Sequence, residues 1–291
     1  MIKAALLADG IDFGEGPRWR DGRLWFSDFY ARAVKSVSLA GDIRTEFAID
    51  DQPSGLGWMP DGSLLVVSMT KRQLLRRLPD GTMRVHADLS GVAEFHCNDM
   101  VVDLQGRAYV GNFGFDIEAE MRARGAAALM TEHATATIAL VQADGSVSAA
   151  ASGMSFPNGS VITPDGKTLI VGETLGARLT TFDIAPDGAL SNRRIWAPTP
   201  ACSPDGICLD AEGAIWVANA IAPQCIRLAK GGEVLEVIDT GEPCYACMLG
   251  GDDGRTLFML TAPGVGSGLV AGAGRGRIMI ATVAAPHAGL P

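Results

Sequence analysis

Four polar side chains stand at equivalent places along the chain, and their oxygen atoms could bind a metal ion. Three of them lie seven residues before the first residue of the turn that follows, and the fourth lies six residues before it. They are Glu15, Asn98, Asn158 and Asp205. Two carboxylates and two amides form a donor set of oxygen alone, which hard cations such as Ca²⁺, Mg²⁺ and Mn²⁺ prefer. The sequence therefore predicts a divalent-cation site, provided that the fold brings the four residues together.

A simpler explanation is that each residue only shapes a local turn, with its side chain bonded to its own backbone. For any one residue alone, that explanation is the stronger of the two. Four residues at equivalent positions favour a shared site, because polar side chains that converge on a narrow channel need a cation or water to satisfy them.

The elements that would position these residues follow one repeated plan. Six first turns are flanked by apolar runs, at Asp21-Gly22, Asp61-Gly62, Gln105-Gly106, Asp165-Gly166, Glu212-Gly213 and Asp253-Gly254. Second turns lie between them at 40–42, 79–81, 143–145, 186–188 and 230–232. Two hairpins per unit give four strands, and a period of about 40–60 residues is typical of propeller blades. We therefore expect an all-β, six-bladed β-propeller with four-stranded antiparallel blades, formed as one domain by residues 1–291.

Two segments depart from the plan. The sixth unit lacks a clear second turn, and its last strand-like run, R-I-M-I-A-T-V at 277–283, is expected to pair with the N-terminal run I-K-A-A-L-L at 2–7. That pairing would close the ring with both chain ends and remove a free edge. The third unit has extra length at about 113–137, where 121–130 could form a short helix. We expect this insertion to be a lid on the ligand face, as insertions in one repeat often are.

Equivalent positions at the start of each inner strand of a propeller face the mouth of the central channel. Ser54 and Ala246 occupy the corresponding positions in the second and sixth units by the same counting. Glu15, Asn98 and the other two oxygen donors would therefore meet in the channel although they are far apart in sequence.

Composition restricts the classes of partner. The formal charge of −9 and the pI near 4.9 argue against a nucleic-acid or anionic-membrane partner, because either would need a basic face. No apolar run approaches the roughly 18 residues that span a bilayer, and the first ten residues are too short an apolar run for a secretory signal. We expect a cytoplasmic protein with a small-molecule substrate, acting as a monomer or a small homo-oligomer.

The six cysteines do not indicate a disulfide framework or a zinc site. A chain of 291 residues does not need disulfides for stability. Cys244 and Cys247 have CxxC spacing, but no second pair or histidine partner accompanies them. Reduced, mostly buried thiols are expected.

Short motifs along nearly the whole chain resemble a known family. They are E-G-P at 15–17, G-L-G-W at 55–58, C-N-D at 97–99, F-P-N-G at 156–159, S-P-D-G at 203–206 and C-M-L-G-G at 247–251. In order and spacing they resemble the family of gluconolactonase, regucalcin (senescence marker protein) and luciferin-regenerating enzyme. The resemblance implies a six-bladed propeller with one catalytic divalent cation in the channel, calcium first, with zinc, manganese or magnesium as alternatives.

The resemblance also implies roles for individual residues. Glu15, Asn158 and Asp205 would be the metal ligands. Asn98 would contact the substrate or a metal-bound water, with Asp99 close by. The hairpin that carries Asn158 should place Glu173 at the same end, and Glu173 is expected to bind substrate.

Departures from the family pattern concern the substrate. Sugar-lactone-hydrolysing relatives often have an arginine where this chain has His96, so the expected fork for sugar hydroxyls is missing. His96 could instead be a general base or orient the substrate. Phe113 and Phe115, with Trp58 and Met69 nearby, suggest a more apolar pocket. Asp116 and Glu118 are candidate lid contacts or plain surface acids.

The leading hypothesis is a metal-dependent lactonase, that is, a carboxylic ester hydrolase in which Asp205 or His96 accepts the proton of the attacking water. A phosphotriester hydrolase, such as the related diisopropylfluorophosphatase, is the nearest enzymatic alternative. A metal-dependent isomerase or lyase and a non-enzymatic calcium-binding propeller are the others.

Overall fold

The computed structural model describes residues 2–291, and within that range it contains twenty-five strands and three helices. The first half comprises β1 (Ile2–Lys3), β2 (Ala5–Ile11), β3 (Gly14–Arg20), β4 (Arg23–Asp28), β5 (Ala33–Ser38), β6 (Ile43–Ala48), β7 (Pro53–Trp58), β8 (Leu64–Ser68), β9 (Gln73–Arg77), β10 (Met83–Asp88), β11 (Cys97–Val102), β12 (Ala108–Asn112), α1 (Ile117–Arg124), α2 (Ala126–Thr131), β13 (Ala136–Val141) and β14 (Val147–Met154). The second half comprises β15 (Pro157–Ile162), β16 (Thr168–Glu173), β17 (Arg178–Ile184), β18 (Leu190–Pro198), β19 (Pro204–Leu209), β20 (Ile215–Asn219), β21 (Gln224–Leu228), β22 (Val234–Asp239), β23 (Cys244–Gly250), β24 (Thr256–Thr261), α3 (Ser267–Val270) and β25 (Gly276–Thr282).

The strands form six sheets, which are the six blades of a β-propeller. Blades 1 to 4 are the consecutive strands β3–β6, β7–β10, β11–β14 and β15–β18, and blade 5 contains β19–β22. Within each of these blades, neighbouring strands pair in antiparallel fashion. The predicted fold class is confirmed.

Each predicted first turn joins the first and second strands of a blade. In blade 1, Arg20 pairs with Arg23 across a two-residue turn. Asp21 and Gly22 both have positive φ, 51° and 74°, as a tight hairpin turn of the type I′ class requires. In the other five first turns only the glycine has positive φ, which explains why glycine is the shared second residue of all six turns.

Blade 6 is closed by both ends of the chain, as predicted. The strand order is β2-β25-β24-β23, and β2 runs antiparallel to β25, with Ala5 opposite Ile280. The residues before β2 add a feature that the sequence did not predict. Strand β1 pairs in parallel with β22, so the N-terminal segment joins blade 6 to blade 5.

The first strands of the blades are the inner strands that surround the channel. Each inner strand contacts the next one, and β23 contacts β3, so the ring is complete. Strands β11, β15, β19 and β23 are buried along their whole length. Apolar side chains between adjacent blades form the core, of which the largest cluster packs blades 5, 6 and 1 around Trp216 and Phe258.

Different parts of the chain lie at the two ends of the channel. Helices α1 and α2 lie in the connection between β12 and β13, at the end where the inner strands begin, which we call the mouth. At the opposite end, the C-terminal tail forms bridges from Leu290 to Ile162 and from His287 to Asp210, at the ends of β15 and β19. None of the helices described between residues 2 and 291 is long and apolar enough to cross a membrane.

Candidate functional site

The second residue of every inner strand lies in one ring at the mouth. Five of the ring positions are those found by counting in the sequence, and all six residues are buried. The ring consists of Glu15, Ser54, Asn98, Asn158, Asp205 and Tyr245. In blade 6 the second residue is Tyr245 rather than Ala246, because β23 and β24 have seven and six residues, each one more than the corresponding strands β19 and β20. The sixth member of the ring is therefore a phenol, which the sequence counting missed by one residue.

Register irregularities in the inner strands explain how these side chains reach the channel. In β15 the regular pairing is interrupted between Pro157 and Ser160, so that two residues, Asn158 and Gly159, face only Gly172 on β16. Strands β7, β11 and β19 have irregularities at the same place. A bulge bends its strand and changes the direction of a side chain, which is why bulges are common beside functional sites.

The acidic residues of the ring lie close enough to repel one another. Burial raises the pKa of Glu15 well above its ordinary value, and the negative charges of Asp205 and Asp99 raise it further. Burial likewise raises the pKa of Asp205, with Asp99 as the next cause. A neighbouring positive charge or additional hydrogen bonds are needed to stabilise such carboxylates as anions. The site therefore favours either protonation or a bound cation.

Two oxygens in the ring are buried and have no hydrogen-bond partner among the residues described. They are Asn158 Oδ1 and Asp205 Oδ1. The amide of Asn158 is fixed by its other end, since Nδ2 donates to Thr174 Oγ1 at 3.2 Å and Thr174 Oγ1 donates to Pro204 O at 2.7 Å. A buried polar atom without a partner is costly and points to a missing ligand.

The donor set fits a hard cation. Glu15 and Asp205 supply carboxylate oxygens, and Asn158 supplies an amide oxygen that already lacks a partner. Across residues 2–291, no three Asp, Glu, His or Cys side chains are arranged as a metal-binding group. That result agrees with a set in which one of the three donors is an amide.

Asn98 and Asp99 lie beside this set but have partners of their own. Asn98 Oδ1 accepts a hydrogen bond from Ser54 Oγ at 3.4 Å. Asp99 forms a buried ion pair with Arg18, whose Nη2 lies 3.1 Å from Asp99 Oδ1. Burial raises the pKa of Asp99, while the guanidinium of Arg18 acts in the opposite direction.

Arg18 is a site residue that sequence reasoning missed. Its Nη2 also donates to Met100 O at 2.6 Å, and its Nε donates to Leu56 O at 2.8 Å. A single side chain from β3 thus binds the backbones of β7 and β11. Its position in the sequence gave no signal, because its partners Leu56, Asp99 and Met100 belong to other blades.

His96 and Phe113 lie together at the mouth, next to Asn98. Phe113 N donates to His96 O at 2.9 Å, and the two ring centroids are 6.3 Å apart. The His96 ring stacks on Phe95 at 4.0 Å. Burial is the main cause that lowers the pKa of His96, so the imidazole is neutral at pH 7 and able to accept a proton.

Glu173 is at the predicted end of its hairpin, opposite Pro157, but its carboxylate is engaged elsewhere. Arg178 Nε lies 2.8 Å from Glu173 Oε1, and Arg193 Nη2 lies 3.3 Å from the same oxygen. Ser155 N donates to Glu173 Oε2 at 2.7 Å. These contacts fix blade 4 and leave Glu173 outside the ring.

The structure also separates Asp116 and Trp58 from the ring. Asp116 is exposed and caps α1, where its Oδ1 accepts from Ala119 N at 2.9 Å. Trp58 ends β7, at the opposite end of that strand from Ser54, and packs on Trp25. The suggestion that Trp58 lies in an apolar pocket at the site was wrong, because the two ends of an inner strand lie at opposite ends of the channel.

All six cysteines belong to the part of the chain that the structure describes, and all six are buried and free of disulfides. Burial raises the pKa of Cys97 to about 12 and that of Cys202 to about 12. Thiols with such pKa values are poor nucleophiles at neutral pH. Cys97 and Cys202 are therefore wall residues rather than nucleophiles.

Known proteins resemble the chain over most of its length. It is 28% identical to the pentonolactonase XacC of Haloferax volcanii over 88% of this chain and 83% of that protein, and 24% identical to regucalcin of Gallus gallus over 88% and 85%. The solved structure of regucalcin, a calcium-binding protein from Agrobacterium tumefaciens, superposes with a TM-score of 0.80 at 20% identity, over 100% of this chain and 97% of that one. That likeness concerns the fold. The model of the SMP-30/gluconolactonase/LRE-like region matches residues 13–263, and the chain belongs to that family.

Proposed function

We propose that this protein is a metal-dependent hydrolase that opens lactones. The observation that carries the proposal is the pair of buried oxygens without partners, Asn158 Oδ1 and Asp205 Oδ1, beside the buried carboxylate of Glu15. The names of relatives support the reaction class, since XacC is a pentonolactonase and another relative, 23% identical, is a 6-deoxy-6-sulfogluconolactonase from Pseudomonas putida.

Glu15, Asn158 and Asp205 would hold one divalent cation, and calcium is the first candidate because its ligands are commonly carboxylate and carbonyl oxygens. When bound, such a cation supplies Lewis-acid polarisation of the ester carbonyl and stabilises the negative charge that develops there. The three side chains come from blades 1, 4 and 5, so the intact ring is needed to bring them together.

The residues of this chain supply the remaining steps. Asn98, a buried member of the ring, binds the lactone and limits its orientation. Asp205 or the neutral imidazole of His96 accepts a proton from the attacking water as the water oxygen bonds to the carbonyl carbon. The C–O bond of the lactone then breaks, the alkoxide oxygen takes up a proton, and the product is the hydroxy acid.

The test is proton release from sugar, aliphatic and aromatic lactones by protein freed of metal and then reloaded with Ca²⁺, Mg²⁺, Mn²⁺ or Zn²⁺. We expect turnover that depends on the cation. Replacing Asp205 by alanine should abolish it, because this change removes both a ligand and a candidate base.

Asp210→Asn is the matched control. Asp210 follows the opposite end of the same strand, β19, is also buried, and pairs with Arg227 at 2.7 Å. Loss of turnover in the Asp205 variant but not in this one would tie activity to the ring. Tight cation binding without turnover of any lactone would overturn the proposal, and phosphotriesters and enolisable substrates would then be tested before a purely cation-binding role is accepted.

A further inference from the structure

We propose that Phe113 and Phe156 form an aromatic platform at the channel mouth that selects lactones carrying a flat apolar substituent. This inference rests on the proposed lactonase function and names the substrate class of the same site. Phe156 lies two residues before Asn158, and Phe113 directly follows β12, whose last residue pairs with Cys97 beside Asn98. The two rings therefore belong to the parts of blades 3 and 4 that carry Asn98 and Asn158.

The two rings contact one another directly. Their centroids are 4.7 Å apart, and the ring planes are tilted by 40°. Phe113 is half-buried, while Phe156 is only 7% exposed. An aromatic pair with one partly open ring offers a face on which a further planar group can stack.

The backbone of Phe156 is held in an unusual conformation. Its φ is 59°, in the left-handed region, where a bulky residue is rarely found. The conformation is fixed by Phe156 O, which accepts a hydrogen bond from Thr174 N at 3.0 Å. Strained residues persist where the surrounding structure enforces them, and they cluster at ligand sites. The strain at Phe156 therefore favours a ligand-binding role for its aromatic side chain.

The opposite side of the mouth is also apolar. Phe13 lies two residues before Glu15, and its ring centroid is 4.8 Å from that of Tyr245, the phenol of the ring. Phe29 and Tyr30 pack edge-on against Phe13 at 5.9 Å and 6.2 Å. Aromatic clusters thus lie on both sides of the mouth, in blades 3 and 4 and in blades 1 and 6.

Hydroxyl-rich substrates would find few partners at these positions. Ser203 lies two residues before Asp205, but its Oγ already donates to Thr174 O at 2.9 Å. The hydroxyl of Thr174 is likewise engaged with Pro204 O. Sugar hydroxyls placed against the rings would lose their hydrogen bonds to water without replacement, which is unfavourable. A phenyl or similar group gains from the same surroundings.

Three lactones with the same six-membered ring test the platform. They are δ-phenyl-δ-valerolactone, δ-valerolactone and glucono-δ-lactone, and the measured quantity is kcat/KM with the activating cation present. We expect the phenyl compound to be preferred over δ-valerolactone by about tenfold or more, consistent with burial of one aromatic group, and glucono-δ-lactone to be the poorest substrate. In Phe113→Ala the preference for phenyl should fall toward unity.

Two further variants distinguish loss of the aromatic platform from loss of folding. Phe156→Gly removes the second ring and places a residue that tolerates φ of 59°. Because it also leaves a buried cavity, thermal unfolding first verifies that the variant is folded, and the folded variant should lose the phenyl preference. Phe113→Leu keeps apolar volume without a ring face and should give an intermediate preference. Phe47→Ala is the control, because Phe47 lies on β6, an outer strand, and packs under Arg77 away from the channel; its preference should match that of the wild type.

The outcomes separate the two proposals. Turnover of all three lactones with no phenyl preference, or an unchanged preference in Phe113→Ala and Phe156→Gly, would overturn the platform and leave the lactonase proposal standing. No turnover of any of the three with any cation would overturn both.

Discussion

Asn158 and Asp205 each keep one buried side-chain oxygen without a partner among the described residues. An unsatisfied buried polar group costs about 1–3 kcal/mol, so the ring is unfavourable by itself. Burial and the neighbouring carboxylates also raise the pKa of Glu15 and Asp205. In the cation-free protein the folded state therefore holds more protons than the unfolded chain at pH values above about 4, the ordinary carboxylate range. The stability contributed by these groups is complete below that range and is lost as the pH rises through the raised pKa values.

A cation and protons should therefore compete for the ring. We predict that Ca²⁺ raises the Tm by a larger amount at pH 8 than at pH 5.5, because cation binding at the lower pH must displace protons from Glu15 and Asp205. The measurement is thermal unfolding with and without Ca²⁺ across this pH range. In Glu15→Gln the pH dependence of the Ca²⁺ effect should shrink. An equal effect of Ca²⁺ at both pH values would contradict the prediction.

The buried pair of Arg18 and Asp99 gives a second prediction at this scale. Both side chains are 6% exposed, and removal of one partner leaves an uncompensated buried charge, which costs about 3–5 kcal/mol. Arg18→Met should lower the free energy of unfolding by about that amount in the absence of cation. Because the positive charge of the guanidinium also repels a cation bound nearby, the same variant should bind Ca²⁺ roughly tenfold more tightly. Urea unfolding and calorimetric titration measure the two effects.

Arg107→Met is the matched control for this prediction. Arg107 forms an equally buried pair with Asp103, at 2.6 Å, next to the turn between β11 and β12 and so at the far end of the channel. It should lose comparable stability without any change in Ca²⁺ affinity. Equal Ca²⁺ affinity in both variants would show that Arg18 has only a structural role.

Which residues belong to the ring could be largely predicted from the sequence, because the count back from each first turn fixes the register of an inner strand. Asn98, Asn158 and Asp205 are found in this way. Tyr245 was missed because the β23–β24 hairpin is one residue longer in each strand than the β19–β20 hairpin, which places its ring residue eight rather than seven residues before the turn. Arg18 was missed because its partners lie on β7 and β11, and such a contact between blades depends on packing that no local pattern records.

At the scale of elements, glycine after the ring residue lets adjacent inner strands approach closely. A Cβ atom on Gly159 would lie 2.4 Å from Ile207 N and 2.6 Å from Asp205 O. Strands β15 and β19 are therefore in backbone contact at the point where Asn158 and Asp205 enter the channel. Any group larger than hydrogen at this position must displace one of the two strands.

Gly159→Ala should destabilise the protein by about 1–3 kcal/mol, the usual range for overpacking. It should also weaken cation binding, since the displaced backbone includes Asp205. Denaturant unfolding and Ca²⁺ titration provide the two readouts. Gly91→Ala is the control, because a Cβ there meets no heavy atom within 4 Å and should change neither quantity. If Gly159→Ala bound Ca²⁺ as tightly as the wild type, the close approach would not control the ring.

Elements differ in how well sequence predicts them. The hairpin turns were predictable because Asp and Gly carry a conformational signal, whereas the bulges at 158–159 and the equivalent places carry none of their own. The helical insertion was expected from excess length, and the structure has α1 and α2 there. Its role as a lid stays a prediction.

At the scale of the whole molecule, blade 6 depends on both ends of the chain. Strand β2 supplies one full edge of the blade through its pairing with β25. Its residues Ala8 and Ile11 are buried in the cluster that also contains Trp216 and Phe258 of blades 5 and 6. Strand β1, in contrast, contributes only two residue pairs with β22. Strand β2 therefore contributes more to closure of the propeller than β1 does.

Two truncations distinguish these contributions. Deleting residues 1–3 removes β1 and should lower the Tm only slightly, with one cooperative transition retained. Deleting residues 1–11 also removes β2, leaves β25 with an unpaired edge, and exposes apolar core surface, so the product should form oligomers or aggregates through that edge. Size-exclusion chromatography with light scattering and thermal unfolding measure both effects. Cation affinity is a sensitive third readout, because Glu15 lies near the start of β3, the strand that follows β2, and its position depends on closure of the propeller. A monomeric, cooperatively folding product that lacks residues 1–11 and binds Ca²⁺ normally would mean that blade 6 is stable with three strands and that closure by the N-terminal strand is dispensable.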